Sequence, residues 1–311
     1  MKLAIIGVGA VGAATAMAAA LRARVREIVL IDKDQARARG VALDMSYGIP
    51  LSPRVSIKVG DYQDLAGAGL VIVTAGINEK AGGATDRNDP QGRLRLLDTN
   101  VKVFEDIVPK VKQVAANAVI LVATNPPEPL VEITRKLIGH DRVMSTSTYL
   151  DTLRFRVHLA SQFMVSAACV EAYVVGEHGT SSVFLWSSAR IGGIPVADMI
   201  AARGLDFSAF RTQTENDVRT ANITIIEGIG ASQYGIGMVA ARVAEVVLRD
   251  EQAVFPVGSH NLRYGTTISL PSIVGQEGVA EVIMPEMSAE ETAALTHSAE
   301  RIAATTQKYL T

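Results

Sequence analysis

Four short stretches of the chain carry side chains suited to moving protons and gripping carboxylates. VVGEHGTSS sets His178 between glycines, on a loop that would present the imidazole. YLDTLRFR places Asp151 and Arg154 three residues apart, on one face of a helix. ATNPPEP puts Asn125 at the end of an apolar run, where open α/β sheets bind their ligands. NDPQGRLRLLDTN carries Arg93 at the end of a long glycine-containing loop. Taken singly, each has an ordinary reading: a turn before proline, a helix-surface ion pair, one of five histidines, a solvated charge. Together they supply a base, an acid to orient it, a guanidinium for a carboxylate and a second guanidinium on a loop. Those are the parts needed to take a proton and a hydride from a 2-hydroxy acid.

A hydride needs an acceptor, and the first residues offer one a place. Lys2 to Ile6 reads as a short buried strand, and Gly7, Gly9 and Gly12 follow as G-x-G-x-x-G. The first glycine permits a tight turn, the second lets a pyrophosphate approach the backbone, and the third lets helix and strand pack closely. A small-residue helix follows, its N-terminus facing the phosphates. Asp32 ends the next strand, twenty-three residues beyond Gly9, and is placed to accept hydrogen bonds from a ribose. Its carboxylate would repel a 2′-phosphate, which selects NAD over NADP. Lys33, Arg37 and Arg39 lie nearby and could soften that choice, or simply face solvent.

The same opening run, apolar from Leu3 to Leu21 except for Thr15, also has the parts of a secretion signal. Three glycines inside it, each costing a helix about 1 kcal/mol, argue instead for strand, turn and helix. With 48% hydrophobic and 20% charged residues the composition is that of a globular protein. A net charge of −2 gives no global pull toward nucleic acid or anionic membrane. The single cysteine, Cys169, excludes an intrachain disulfide and fits a reducing, cytoplasmic setting. No His/Cys cluster is visible to bind a metal.

Stepping outward from these residues, strand and helix patterns alternate to about residue 148, with strands expected near 26–31, 55–59, 70–76, 118–126 and 142–148. Alternation at that spacing predicts right-handed βαβ units and a doubly wound parallel sheet. The second half predicts a helix over 149–163 and strands at 169–176 and 181–187. Helices at 206–227 and 237–249, strands at 253–259 and 266–274, and a helix from Ser288 follow. The fold class is therefore α/β, a nucleotide-binding unit (residues 1–146) followed by a mixed α+β unit (147–311), with a cleft between them and no flexible linker.

GVGAVG, IDKD, TAG, RLRLLDTN, TNPPEP, LDTLRFR and GEHG occur in the order and at distances that resemble the L-lactate/malate dehydrogenase family along essentially the whole chain. The resemblance implies a Rossmann-type first domain, NAD as cofactor, and a homodimer or homotetramer. It makes His178 the acid/base and Asp151 the group that fixes its tautomer and favours the imidazolium. Arg154 becomes the bidentate clamp on the substrate carboxylate, and Arg93 a loop residue that stabilises charge on the substrate oxygen. Asn125 would hydrogen-bond that oxygen and the nearby histidine and line the cofactor site, and Ser232 would touch substrate. The glycines and Asp32 would hold the dinucleotide, with Thr74, Ala75 and Gly76 along its wall.

The resemblance leaves the substrate among three classes. GEHG, LDT and SQYGI (232–236) favour lactate or a branched-chain 2-hydroxy acid. Against them stands Arg87, six residues before Arg93, where a cation would pair with the second carboxylate of malate. The loop NEKAGGATDRNDPQG is longer than is usual in the family, so Arg87, Asn88, Asp89 or Gln91 could take that place. Lactate is the expected substrate, with malate, a bulkier 2-hydroxy acid, or a silent NAD-binding protein as alternatives. Two departures stand out. TNPPEP has proline and glutamate where valine and aspartate are usual, and STST (145–148) replaces a glycine-containing turn. Arg156 matches an arginine that binds fructose bisphosphate in many bacterial relatives, but Glu171 falls at the partner histidine and would repel phosphate.

Overall fold

The computed structural model describes residues 1–22, 25–86 and 92–310 and, of Arg93, only the backbone. The first half builds β1 (Lys2–Ile6), α1 (Ala10–Arg22), β2 (Glu27–Ile31), α2 (Gln35–Gly48), β3 (Ser56–Val59) and β4 (Leu70–Val73). It continues through α3 (Leu97–Ala115), β5 (Val119–Val122), α4 (Pro127–Ile138) and β6 (Val143–Ser145). These six strands are parallel, in the order β6-β5-β4-β1-β2-β3. Their side chains alternate between two cores because the strand period is two. Leu3, Ile5, Leu70, Ile72, Val119 and Leu121 face one way. Ala4, Ile6, Val71, Val73, Ile120 and Val122 face the other, under α3 and α4. Burial on both faces explains why β1, β2, β4 and β5 read as apolar runs, whereas the edge strand β3, SIKV, is half-buried at most.

The second half comprises α5 (Tyr149–Phe163), β7 (Val170–Glu171), β8 (Val174–Val175), β9 (Val183–Phe184), β10 (Arg190–Ile191), β11 (Ile194–Pro195) and α6 (Val196–Ala202). After these come α7 (Phe207–Ile229), α8 (Tyr234–Arg249), β12 (Ala253–Asn261), β13 (Thr266–Gly275), β14 (Gly278–Val282) and α9 (Ala289–Leu310). One feature was not foreseen from the pattern. The antiparallel strands β12, β13 and β14 do not form a separate sheet; β12 pairs with β6 and extends the parallel sheet to nine strands. Gly258 sits opposite Ser145 at that seam, and a Cβ there would lie 2.4 Å from the Ser145 hydroxyl. The strand expected at 169–176 is split into β7 and β8, which join different sheets, and the one expected at 181–187 shrinks to β9; between β8 and β9 the chain turns at Gly176 to carry His178. The opening apolar run is strand, turn and helix, and among the described residues no helix is long and apolar enough to cross a membrane.

An aromatic core under α5 and α7 anchors the second half. Phe155 packs edge-on to Phe184 and Trp186, and Phe207 and Phe210 close around the indole. The Trp186 N–H donates to Glu215, whose two oxygens also take Arg211 and Arg219 from adjacent turns. Burial alone would push the Glu215 carboxyl up; the bonds from Arg211 and Arg219 outweigh it and hold the group below its ordinary value of 4.5. In the acid range the unfolded chain therefore binds more protons, so this stabilisation is present above about pH 4.5 and is lost as pH falls through the folded value. Glu215→Gln is expected to cost about 2 kcal/mol at pH 7 and to flatten the acid limb of stability. Urea midpoints at pH 7 and pH 4 for both proteins check this; an unchanged difference between them would refute it.

Candidate active site

The glycine turn has the geometry its spacing requires. Gly7 adopts φ +99°, and a Cβ on it would lie 2.5 Å from the Ala75 nitrogen. A Cβ on Gly12 would lie 1.9 Å from the Gly7 oxygen, so α1 and β1 approach as closely as only glycine allows. At Gly9, by contrast, nothing among the described residues stands within 4 Å of such a Cβ, leaving open space at the N-terminus of α1. Thr74 Oγ1 donates to the Gly7 carbonyl at 2.6 Å and braces the turn. Asp32 accepts from the Val8 nitrogen at 2.5 Å and from the Asp34 nitrogen at 2.8 Å, which fixes its carboxylate at the end of β2. Lys33, Arg37 and Arg39 are all exposed, and Arg37 pairs with Asp34, the N-cap of α2. The open Gly9 position, the helix terminus and the fixed carboxylate fit a dinucleotide.

From this turn a cleft runs to the start of α5, lined by Thr74, Gly76, Asn125, Thr146, Ser147, Arg154, His178 and Ser232. Ala75 is not among the residues that line it; it stands against Gly7, its carbonyl accepting from Thr124 Oγ1 at 2.9 Å. His178 Nδ1 lies 2.5 Å from Asp151 Oδ2, and the other oxygen of Asp151 accepts from Arg154 at 3.1 Å. All three side chains are nearly buried, at 9–14% exposure, which strengthens each charge interaction relative to water. The three-residue spacing on α5 thus presents acid and arginine together, as expected from the helix period. The loop after β8 brings the imidazole to meet them.

Asn125 follows β5 and is bonded on both sides. Its carbonyl accepts from Asn100 Nδ2 at 2.7 Å and its amide donates to Glu79 Oε1 at 2.6 Å. Asn100, wholly buried on α3, also accepts from the Ile77 nitrogen, tying the loops after β4 and β5 together. Glu79 lines the cleft with His178 and Arg154. Buried Asn222 of α7 lines it too, and also the adjoining cavity beyond His178. None of these three was singled out from the sequence. Asn100 lies within the RLRLLDTN motif and was legible as a polar residue on a buried helix face, whereas Glu79 sits in a loop whose register the sequence left open. Arg93 falls in a 3₁₀ turn, Gly92–Leu96, and its side chain lies outside the described residues, as do all of Arg87, Asn88, Asp89 and Gln91. Among the described residues no group of three His, Cys, Asp or Glu could hold a metal ion.

The hydroxyls of STST do not all face the cleft. Thr148 donates to the Val174 carbonyl and contacts Ser269, while Ser147 donates to Glu128. Thr146 alone of the two threonines lines the cleft. Arg156 donates to the Ala172 carbonyl and stacks over Tyr173, with Glu171 exposed beside it.

A nearly buried histidine backed by a carboxylate, an adjacent guanidinium and a dinucleotide turn form a site for hydride exchange with a hydroxy acid. Residues 1–144 match the family model for the lactate/malate dehydrogenase NAD-binding domain, and residues 148–310 the model for the lactate/malate dehydrogenase alpha/beta C-terminal domain. The chain belongs to the lactate/malate dehydrogenase family, NAD-dependent oxidoreductases acting on 2-hydroxy acids. It is 42% identical to an L-lactate dehydrogenase of Chloroherpeton thalassium and 41% identical to one of Thermus aquaticus, over 96% of each chain. Its fold superposes with TM-score 0.91 on the minor L-lactate dehydrogenase of Enterococcus mundtii, at 33% identity, covering 99% of this chain and 98% of that one.

Proposed function

We propose that the protein interconverts L-lactate and pyruvate with NAD. The observation that carries this reading is the Asp151–His178–Arg154 constellation opening onto the cleft of the glycine turn. Gly7, Gly9, Gly12 and Asp32 hold the dinucleotide, with Thr74, Ala75, Gly76 and Asn125 along its course. NAD, when bound, supplies the hydride acceptor. Asp151 keeps the proton of His178 on Nδ1, so that Nε2 is the nitrogen that accepts the lactate hydroxyl proton as the C2 hydride departs. The imidazolium so formed is stabilised by the same carboxylate and passes its proton to water; in the reverse direction it protonates the developing alkoxide. Arg154 orients the substrate through its carboxylate, two parallel N–H bonds to two oxygens. Arg93 stabilises charge on the substrate oxygen.

Lactate rather than malate is supported by the names of the relatives and by Glu79. A second substrate carboxylate would enter a cleft that already holds the Glu79 carboxylate. Arg87 is not assigned a part in substrate choice, and Ser232 contributes to the wall near Arg154. The functional division we assign is residues 1–146 for the dinucleotide and 147–311 for the substrate, supported by the position of the glycine turn in one and of His178 in the other. A cytoplasmic homodimer or homotetramer completes the reading, resting on the single cysteine and the family.

The direct test is NADH oxidation at 340 nm with pyruvate, oxaloacetate and 2-ketoisocaproate. The highest kcat/KM is expected with pyruvate; a preference of about a hundredfold for oxaloacetate, or about 2.7 kcal/mol, would overturn the assignment. Fructose bisphosphate is expected to leave the pyruvate KM within about twofold, since a phosphate near Arg156 meets the Glu171 carboxylate. A several-fold fall in KM on its addition would contradict this.

A further inference from the structure

Both departures from the family's usual pattern meet at one atom. Glu128, in the first turn of α4, is completely buried. Its Oε1 accepts the backbone N–H of His178 at 2.9 Å and, on its other side, the hydroxyl of Ser147. Its Oε2 is buried with no hydrogen-bond partner among the described residues. Ser147 itself holds φ +35°, a left-handed backbone that glycine adopts more readily, so the turn accepts strain where its hydroxyl meets the carboxyl. The first helical turn favours a carboxylate, though burial pushes the Glu128 carboxyl up.

We infer that Glu128 and Ser147 act as a pair of positioning residues that fix the backbone of His178 relative to the cleft; this rests on the proposed role of His178. The loop needs such a pin. It leaves β8 through Gly176, at φ +89° and bridged to Ser269, and beyond that bridge His178 stands next to a second glycine, Gly179. Past Gly176, two backbone N–H groups of the loop donate to side chains outside it: Glu177 to Ser298 Oγ at 2.9 Å, and His178 to Glu128 at 2.9 Å. The second fixes the backbone of the residue whose ring Asp151 holds. Through Ser147, the same carboxyl oxygen ties that bond to the turn that lines the cleft, so acid–base group and cleft wall share one reference point. Neither Glu128 nor Ser147 needs to touch substrate for this.

Steady-state kinetics with NADH and pyruvate on Glu128→Ala, Glu128→Gln and Ser147→Ala separate this role from a merely structural one. Glu128→Ala is expected to lower kcat about thirtyfold with the pyruvate KM within about threefold, the mark of a displaced acid–base group rather than lost substrate grip. Glutamine, whose side-chain oxygen can accept the same two bonds, is expected to restore kcat to within about threefold of the parent. Ser147→Ala should fall between, at about fivefold, and its loss should shrink in the Glu128→Ala background because the two act through one bond network. A Glu128→Ala protein that retains its circular dichroism and kcat within about twofold overturns the inference. So does glutamine no better than alanine. Should Glu128→Ala fail to fold, Ser147→Ala decides, and an unaltered kcat counts against the pair. Absence of turnover by the parent on any 2-keto acid would instead sink the reading of His178 itself.

Discussion

Arg154→Lys is expected to lower kcat/KM for pyruvate by about a thousandfold, or about 4 kcal/mol of transition-state stabilisation. The substitution keeps the charge, so the loss has to come from geometry. A guanidinium presents parallel N–H groups that match the two oxygens of a carboxylate, whereas an ammonium is a point charge on a flexible stem. Arg154 also donates to Asp151 at 3.1 Å in a nearly buried setting. A lysine that reached the substrate would give up the bond to Asp151, and one that stayed with Asp151 would leave the substrate unclamped. Both failures raise KM and lower kcat together, because Asp151 is also the partner of His178. Stopped-flow and steady-state rates on the variant check this; a loss under tenfold would show that Arg154 is not the carboxylate clamp.

Glu79→Arg is expected to raise the oxaloacetate-to-pyruvate ratio of kcat/KM by about a hundredfold. In the parent, Glu79 places a carboxylate in the same cleft as Arg154 and His178. At a separation of about 6 Å and an effective dielectric constant near 20, two like charges repel by about 3 kcal/mol. Reversing one of them turns that penalty into attraction, and a hundredfold, about 2.7 kcal/mol, is a conservative share of the total swing. Because Glu79 also accepts from Asn125 at 2.6 Å, the variant should lose some activity on pyruvate, which the ratio cancels only in part. Glu79→Gln serves as the control: it removes the repulsion but adds no attraction, so its ratio should lie between the two. An unchanged ratio in both variants would remove Glu79 from substrate selection.

Glu79 also marks where sequence reading stopped. The glycine turn, Asp32 and the Asp151–Arg154 pair were legible because each depends on local geometry: a turn, a strand end, one helical period. Histidine 178 was legible because its flanking glycines announce a loop. Charge selection near the substrate was not, since counting back from Arg93 assumes a loop of standard length and this loop is longer. The count reached Arg87, outside the described residues, while the structure puts Glu79 in the cleft. Glu128 escaped for a different reason. A glutamate after two prolines reads as an ordinary helix-start acid, and only the tertiary approach of the His178 loop buries it. The strands β12 and β13 were found as strands, but nothing in their pattern says which sheet they join.

The seam between β6 and β12 decides whether the first half can stand as a module. β6 is the final parallel strand, and β12 covers its outer side at the Gly258–Ser145 seam. Tyr149, at the start of α5, stacks on Phe255 of β12 with ring centroids 4.7 Å apart, and α8 packs along α1. A fragment ending at residue 146 would therefore shed the cover of both a strand and a helix. It would present β6 as a bare edge beside an uncapped apolar face, the combination that templates pairing between chains. As a place to cut, the boundary between the two halves is the wrong one: excised there, residues 1–146 should aggregate rather than stand alone.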